Sequence, residues 1–205
     1  MTPVKRLLAV CTALALVAAC SVDNSPDSSP IAVTTAAYRA SDPPSITLFT
    51  MINNRTGEGG HSALMVNASQ RVIFDPAGSF RDERVVERGD VLYGITPGWL
   101  QAYKSAHARS TFHVVAQEIP LTSAQAEQAL RIVQANGSVG GGFCAQSTSS
   151  ILAQIDGLQN TKRTFFPVKL MEQIATHPNV ITTKLYENDE GDIVEGVRAA
   201  VQSQQ

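Results

Sequence analysis

Gly59-Gly60-His61-Ser62-Ala63-Leu64-Met65-Val66-Asn67-Ala68-Ser69-Gln70-Arg71-Val72-Ile73-Phe74-Asp75-Pro76 is the segment on which the fold turns. Successive side chains of a strand point to opposite faces. A strand over His61–Val66 therefore sets His61, Ala63 and Met65 on one face and Ser62, Leu64 and Val66 on the other. The polar run Asn67–Gln70 makes a turn. Arg71–Phe74 returns as a second strand, and Asp75-Pro76 ends it because proline cannot donate to a ladder. The result is a hairpin whose open end carries His61 on one strand and Asp75 on the other. Those two side chains can lie side by side, although a register slip of one residue would turn Asp75 to the opposite face.

Working outward, Ile46–Ile52 mixes β-branched, aromatic and Thr residues and reads as a strand, with a loop rich in Asn and Gly over 53–60. Downstream, 90–93 and 111–119 read as strands and 97–106 as a helix with Pro97 in its first turn. The firmest helix is 122–136: Thr122 and Gln125 fit a capping box, and Ala126, Ala129, Leu130 and Val133 form an apolar stripe that Gly137 ends. A glycine run, Gly140-Gly141-Gly142, precedes a helix over 144–155 with Ile151, Leu152 and Ile155 inward. A helix over 167–176, a strand over 180–186 and a polar tail from Glu187 complete the chain. Helices intermixed with antiparallel strands predict an α+β fold.

The N-terminal end carries different information. Lys5 and Arg6 precede an apolar run, Leu7 to Val17, that is too short to span a bilayer as a stable helix. Small residues then lead to a cysteine in Val17-Ala18-Ala19-Cys20, the layout of a signal peptide with its cleavage site. That tetrapeptide resembles the bacterial lipobox. The resemblance implies a signal peptide over 1–19, cleavage before Cys20 and acylation of Cys20, with Ser21 rather than Asp at the next position favouring the outer membrane in a cell that has one. Several acyl chains together give lasting attachment where one gives only marginal binding. The Ser-, Pro- and Thr-rich stretch that follows holds few large apolar residues, so residues 20–44 are expected to be a disordered, lipidated tether and 45–205 a single domain.

Loss of residues 1–19 moves the formal charge from −2 to −4, and no basic stripe remains, so nucleic acid is not an expected partner. Cys11 leaves with the signal and Cys20 is the lipid site, which makes Cys144 the only thiol of the folded domain and rules out an internal disulfide. No His or Cys pair has zinc-ligand spacing, since His107 and His113 fall on different predicted elements. Phosphate-cradling and serine-hydrolase motifs are also lacking, so neither cofactor nor metal is expected. What remains is Cys144 at a helix start, where the helix dipole and free N–H groups favour a thiolate. A nucleophilic thiol needs a base, for which His61 is the candidate, and the base needs an orienting group, for which Asp75 is the candidate.

In order, a histidine in Gly-Gly-His-Ser-Ala-Leu-Met-Val, an acid after a strand, and Cys144 opening Gly-Phe-Cys-Ala-Gln-Ser-Thr-Ser-Ser-Ile-Leu resemble the circularly permuted NlpC/P60-type papain-like proteins. In these the histidine hairpin precedes the cysteine helix. The resemblance covers roughly residues 45–186 and implies Cys144 as nucleophile, His61 as base and Asp75 as the orienting residue. His, Asn, Gln or Glu often stands third in such proteins. The backbone N–H of Cys144 is a generic oxyanion donor.

The implied activity is that of an envelope-anchored thiol hydrolase or acyltransferase acting on an amide or ester, with a cell-wall (peptidoglycan) peptide or an acyl lipid as substrate and a membrane lipid anchor as partner. The alternatives are a non-enzymatic envelope lipoprotein whose papain-like scaffold binds a ligand or partner, and a structural wall spacer, which leaves the His–Cys order unexplained. The catalytic reading requires the His61 ring and the Cys144 sulfur within roughly 3–5 Å of each other.

Overall fold

The computed structural model describes residues 27–78, 80–191 and 193–202. The expected signal peptide, Cys20 and the first residues of the expected tether lie outside them. The architecture is α+β: among the described residues, a seven-stranded antiparallel sheet in the order β4-β5-β3-β2-β1-β6-β7 with six helices around it. In chain order the elements are α1 (Pro30–Ala36), β1 (Ser45–Asn53), β2 (Gly59–Asn67), β3 (Arg71–Phe74), β4 (Val86–Arg88), β5 (Val91–Tyr93), α2 (Pro97–His107), β6 (Phe112–Pro120), α3 (Ser123–Asn136), α4 (Cys144–Leu152), α5 (Pro167–Ala175), β7 (Ile181–Leu185) and α6 (Ile193–Gln202). No helix among the described residues is long and apolar enough to cross a membrane.

Both faces of the sheet are covered, and strand alternation decides which side chain goes where. Ile46, Leu48, Leu64, Val66, Val72 and Phe74 point to one face and pack under Ala129, Leu130 and Val133 of α3, Ile151 and Leu152 of α4, and Leu170 and Ile174 of α5. Phe49, Met51, Ala63, Met65 and Ile73 point to the other, against Ala102, Tyr103 and Ala106 of α2 and Val197 of α6. The capping box of α3 forms as expected, with the Thr122 hydroxyl accepting from Gln125 N and the Gln125 carbonyl oxygen accepting from Thr122 N. The helix at Cys144 ends at Leu152, one turn before the expected 155.

Two expectations are corrected. Residues 27–44 are not a disordered tether. Ser29 caps α1 through its side chain, Pro30 opens it, and Val33 and Ala36 pack on the core. The segment continues along the sheet: Tyr38 O accepts from Arg71 N, Asp42 pairs with the Arg71 guanidinium, and the Asn67 amide donates to the carbonyls of Asp42 and Pro43. The apolar content of this stretch is low, but its exposed carbonyls satisfy buried donors of β2 and β3, which composition cannot register. The polar tail likewise contains a helix, α6, whose Val197 is buried against α2.

Candidate active site

The β2–β3 ladder stops at the pair Leu64↔Phe74, while β2 continues to Gly59. Beyond that point β2 keeps β1 on one side, with a bulge at Gly60 between the pairs Met51↔His61 and Ile52↔Gly59, and has a free edge on the other. The start of α4 fills that edge. Cys144 and His61 come within hydrogen-bonding reach, and the N–H groups of Ser62 and Ala145 point at the sulfur. Cys144 is half-buried, so the thiol is sheltered yet open on one side.

Asp75 follows the last residue of β3 and turns back across the end of the ladder. Its Oδ1 accepts from His61 Nε2 at 2.7 Å and from the Tyr103 hydroxyl of α2 at 2.7 Å. With Nε2 committed to Asp75, Nδ1 is the ring nitrogen that faces Cys144. The turn at Gly78 allows the carboxylate to fold in, because a Cβ there would collide with the Asp75 side chain. The structure brings together the three residues that the sequence singled out as candidates, in the order Cys144–His61–Asp75.

The charges follow from the surroundings. Burial opposes a protonated His61, but the Asp75 carboxylate, reinforced by the hydrogen bonds the ring donates to Asp75 and Cys144, outweighs it and lifts the ring to about 10. Burial also works against ionised Cys144. Its hydrogen bond to His61 and the charge of that ring, with the two backbone N–H groups, overcome this and hold the thiol below its ordinary value. Asp75 loses solvation in its buried position, yet the charge of His61 keeps it below the usual carboxylate range. The Tyr103 phenol is pushed well up by burial and stays a neutral donor. Both shifts favour the imidazolium–thiolate form over the neutral pair.

Three neighbours carried no sequence signal. Tyr103 is fully buried at Asp75. His107, one turn on, stacks on His61 with ring centroids 6.1 Å apart and donates from Nδ1 to Tyr103 O at 2.8 Å. Burial drives its pKa down to about 4, so a neutral ring lies against the charged one. Asp90, buried and held at φ 60° in the left-handed region, joins the two loops of the site. Its Oδ2 accepts from Ala77 N in the Asp75 turn at 2.9 Å and from Val139 N ahead of Cys144 at 2.8 Å, while its carbonyl accepts from Asp75 N at 2.8 Å. A helical i, i+4 Tyr–His pair and an Asp after Gly89 are ordinary in sequence, so only the fold gives them meaning. His113 lies away from the site, bonded to Asn54 Oδ1 at 2.7 Å and stacked on Tyr186. Among the described residues no group of three or more His, Cys, Asp or Glu could hold a metal ion.

Comparison with protein-family models, with curated proteins and with solved structures returns no match. The chemical reading therefore stands on this geometry.

Proposed function

We propose that the protein is an envelope-anchored thiol hydrolase or acyltransferase acting on an amide or ester bond through Cys144, His61 and Asp75. The observation that carries this is the hydrogen-bonded chain from the half-buried Cys144 sulfur through the His61 ring to the buried Asp75 carboxylate. The thiolate attacks the substrate carbonyl carbon, a C–S bond forms, and the carbonyl electron pair moves to oxygen. Collapse expels the amine or alkoxide, which takes the proton from His61 Nδ1 and leaves a thioester. Water, or an acceptor hydroxyl or amine, then loses its proton to His61 and displaces Cys144 as thiolate. Asp75 holds the ring orientation, and Tyr103 fixes Asp75. Cell-wall peptides and acyl lipids both present such a carbonyl.

The histidine hairpin before the cysteine helix, on an antiparallel sheet, supports a permuted papain-like arrangement of the NlpC/P60 type. The lipobox-like Val17-Ala18-Ala19-Cys20 supports anchoring through an acylated Cys20, at the periplasmic face of the outer membrane in a diderm cell. Mass spectrometry of the membrane-extracted protein tests the anchor: an unmodified N-terminus, or cleavage elsewhere, overturns it. Site-resolved alkylation by iodoacetamide at neutral pH tests the dyad. Cys144 is expected to react roughly tenfold faster than a free cysteine peptide, because the gain in thiolate is partly offset by lower intrinsic nucleophilicity. His61→Ala is expected to abolish the excess. A wild-type rate no higher than the peptide's would return Cys144 to an incidental thiol on a binding scaffold.

A further inference from the structure

We propose that the end of the sheet carrying Cys144 is the face this protein lays on a lipid surface, with Phe143, Phe165 and Phe166 entering the headgroup boundary beside the thiol. This rests on the anchored-hydrolase reading and adds an orientation to it. The first observation is the aromatic rim. Phe143, Phe165 and Phe166 are 45%, 54% and 68% exposed, and the rings of Phe143 and Phe165 meet edge to face at 5.8 Å. They bracket the dyad: Phe143 adjoins Cys144 in the chain, and Pro167, next to Phe166, packs so closely on Gly59 that a Cβ there would lie 2.6 Å from the proline Cβ. Large rings of this kind exposed together mark an interaction surface. Lys162 and Arg163, both exposed, lead into Phe165 and suit anionic headgroups.

The second observation says which partner covers the rim. The chain docks beside it. Asp27 Oδ1 accepts from Gly89 N at 2.7 Å, Ser28 N donates to Glu87 O at 2.9 Å, and the Arg88 guanidinium donates to Ser28 O at 2.9 Å. Gly89 in turn lies against Gly137, Asp90 holds Val139, and Gly140 O accepts from Phe143 N at 3.3 Å. The docking point of residue 27 is thus a neighbour of the loop that ends in Phe143. Cys20 precedes Asp27 by seven residues, which span at most about 25 Å even when fully extended. Acyl chains on Cys20 therefore tie the membrane to this end of the sheet. A free tether through residue 44 would have let the domain turn any face to the bilayer. Aromatic side chains on a tethered, cationic surface settle at the acyl–headgroup boundary.

The test uses the acylated full-length lipoprotein reconstituted into phosphatidylethanolamine–phosphatidylglycerol vesicles containing brominated acyl chains, which quench tryptophan on contact. Trp99, the only tryptophan, is first replaced by Trp99→Phe. Phe143→Trp and Phe165→Trp then report on the rim. Ile181→Trp is the control, because Ile181 is 57% exposed on β7, at the sheet edge opposite β4. Quenching by roughly half is expected at both rim positions, and near none at 181. Rim tryptophans quenched no more than the control would overturn the orientation, while intact alkylation of Cys144 would leave the enzyme reading standing. Failure of the protein to float with vesicles would overturn the anchor and the orientation together.

Discussion

The two halves of the site are built in opposite ways. The proton-handling half, His61 with Asp75, Tyr103 and His107, lies between the sheet and α2, and Asp75 and Tyr103 are almost wholly removed from water. The nucleophile half, Gly137 through Cys144, is an exposed glycine loop running into a short helix that has no side-chain cap. Burial makes the first half rigid and strengthens each charge–charge contact in it. In the proposed reaction the second half must admit a substrate, and its order is borrowed from the first through Asp90. Damage should therefore cost stability and chemistry together on the buried side, and little stability on the open side.

Asp75→Ala should show the largest effect. It strips a buried imidazolium of its partner, so stability should fall by about 3 kcal/mol or more and Cys144 alkylation should drop to the free-thiol rate. A loss under about 1 kcal/mol in denaturant titration would mean that the buried half is not held by this pair.

His107 sets the acid side. Its pKa falls from an ordinary 6.5 to about 4 in the fold. Between those values the unfolded chain binds the proton and the native chain does not, so stability present above pH 6.5 is lost as pH falls toward 4. The loss amounts to about 3 kcal/mol. His107→Phe should flatten that part of the stability–pH curve, measured by urea unfolding across the window. On the alkaline side two shifts oppose each other. The stability from raised His61 is lost as pH rises toward about 10, whereas lowered Cys144 adds stability as pH rises toward its ordinary value, so the curve should be shallower than either group alone would give.

Asp90→Ala tests the link between the halves. It removes the acceptor of two N–H groups and should cost about 2 kcal/mol. It should also slow Cys144 alkylation and move its pH midpoint upward, whereas Asp90→Asn, which keeps an acceptor oxygen and tolerates the left-handed backbone, should restore both. Equal effects of the two variants would show that the carboxylate charge, not loop positioning, is what matters. The smallest effect belongs to Gly141→Ala, where nothing lies within 4 Å of the added Cβ and the backbone is unstrained. Stability should stay within about 0.5 kcal/mol of wild type.

The hairpin, the capped helix α3 and the helix start at Cys144 were legible because each is written in a local period or cap: alternation over 61–66, the 122/125 box, and the glycine run before 144. Strand β4, only three residues long, gave no such period. Helices α1 and α6 hid because their stability comes from what they dock on: the core surface under Val33 and Ala36 in one case, and the α2 surface in the other.

For the site itself, residue types and chain order were enough to single out Cys144, His61 and Asp75, since one thiol and four histidines leave few combinations. The sequence by itself determined the α+β class, the hairpin that carries base and acid, and the cysteine at a helix start, because these depend on contacts between near neighbours in the chain. Only the tertiary structure decided that β3 stops short so that α4 can reach the free edge of β2, that Tyr103 and His107 stand behind the acid and base, and that Asp90 binds both loops. Those contacts join residues 28, 46 and 49 positions apart. Their energies come from shared burial, which no local window of sequence contains.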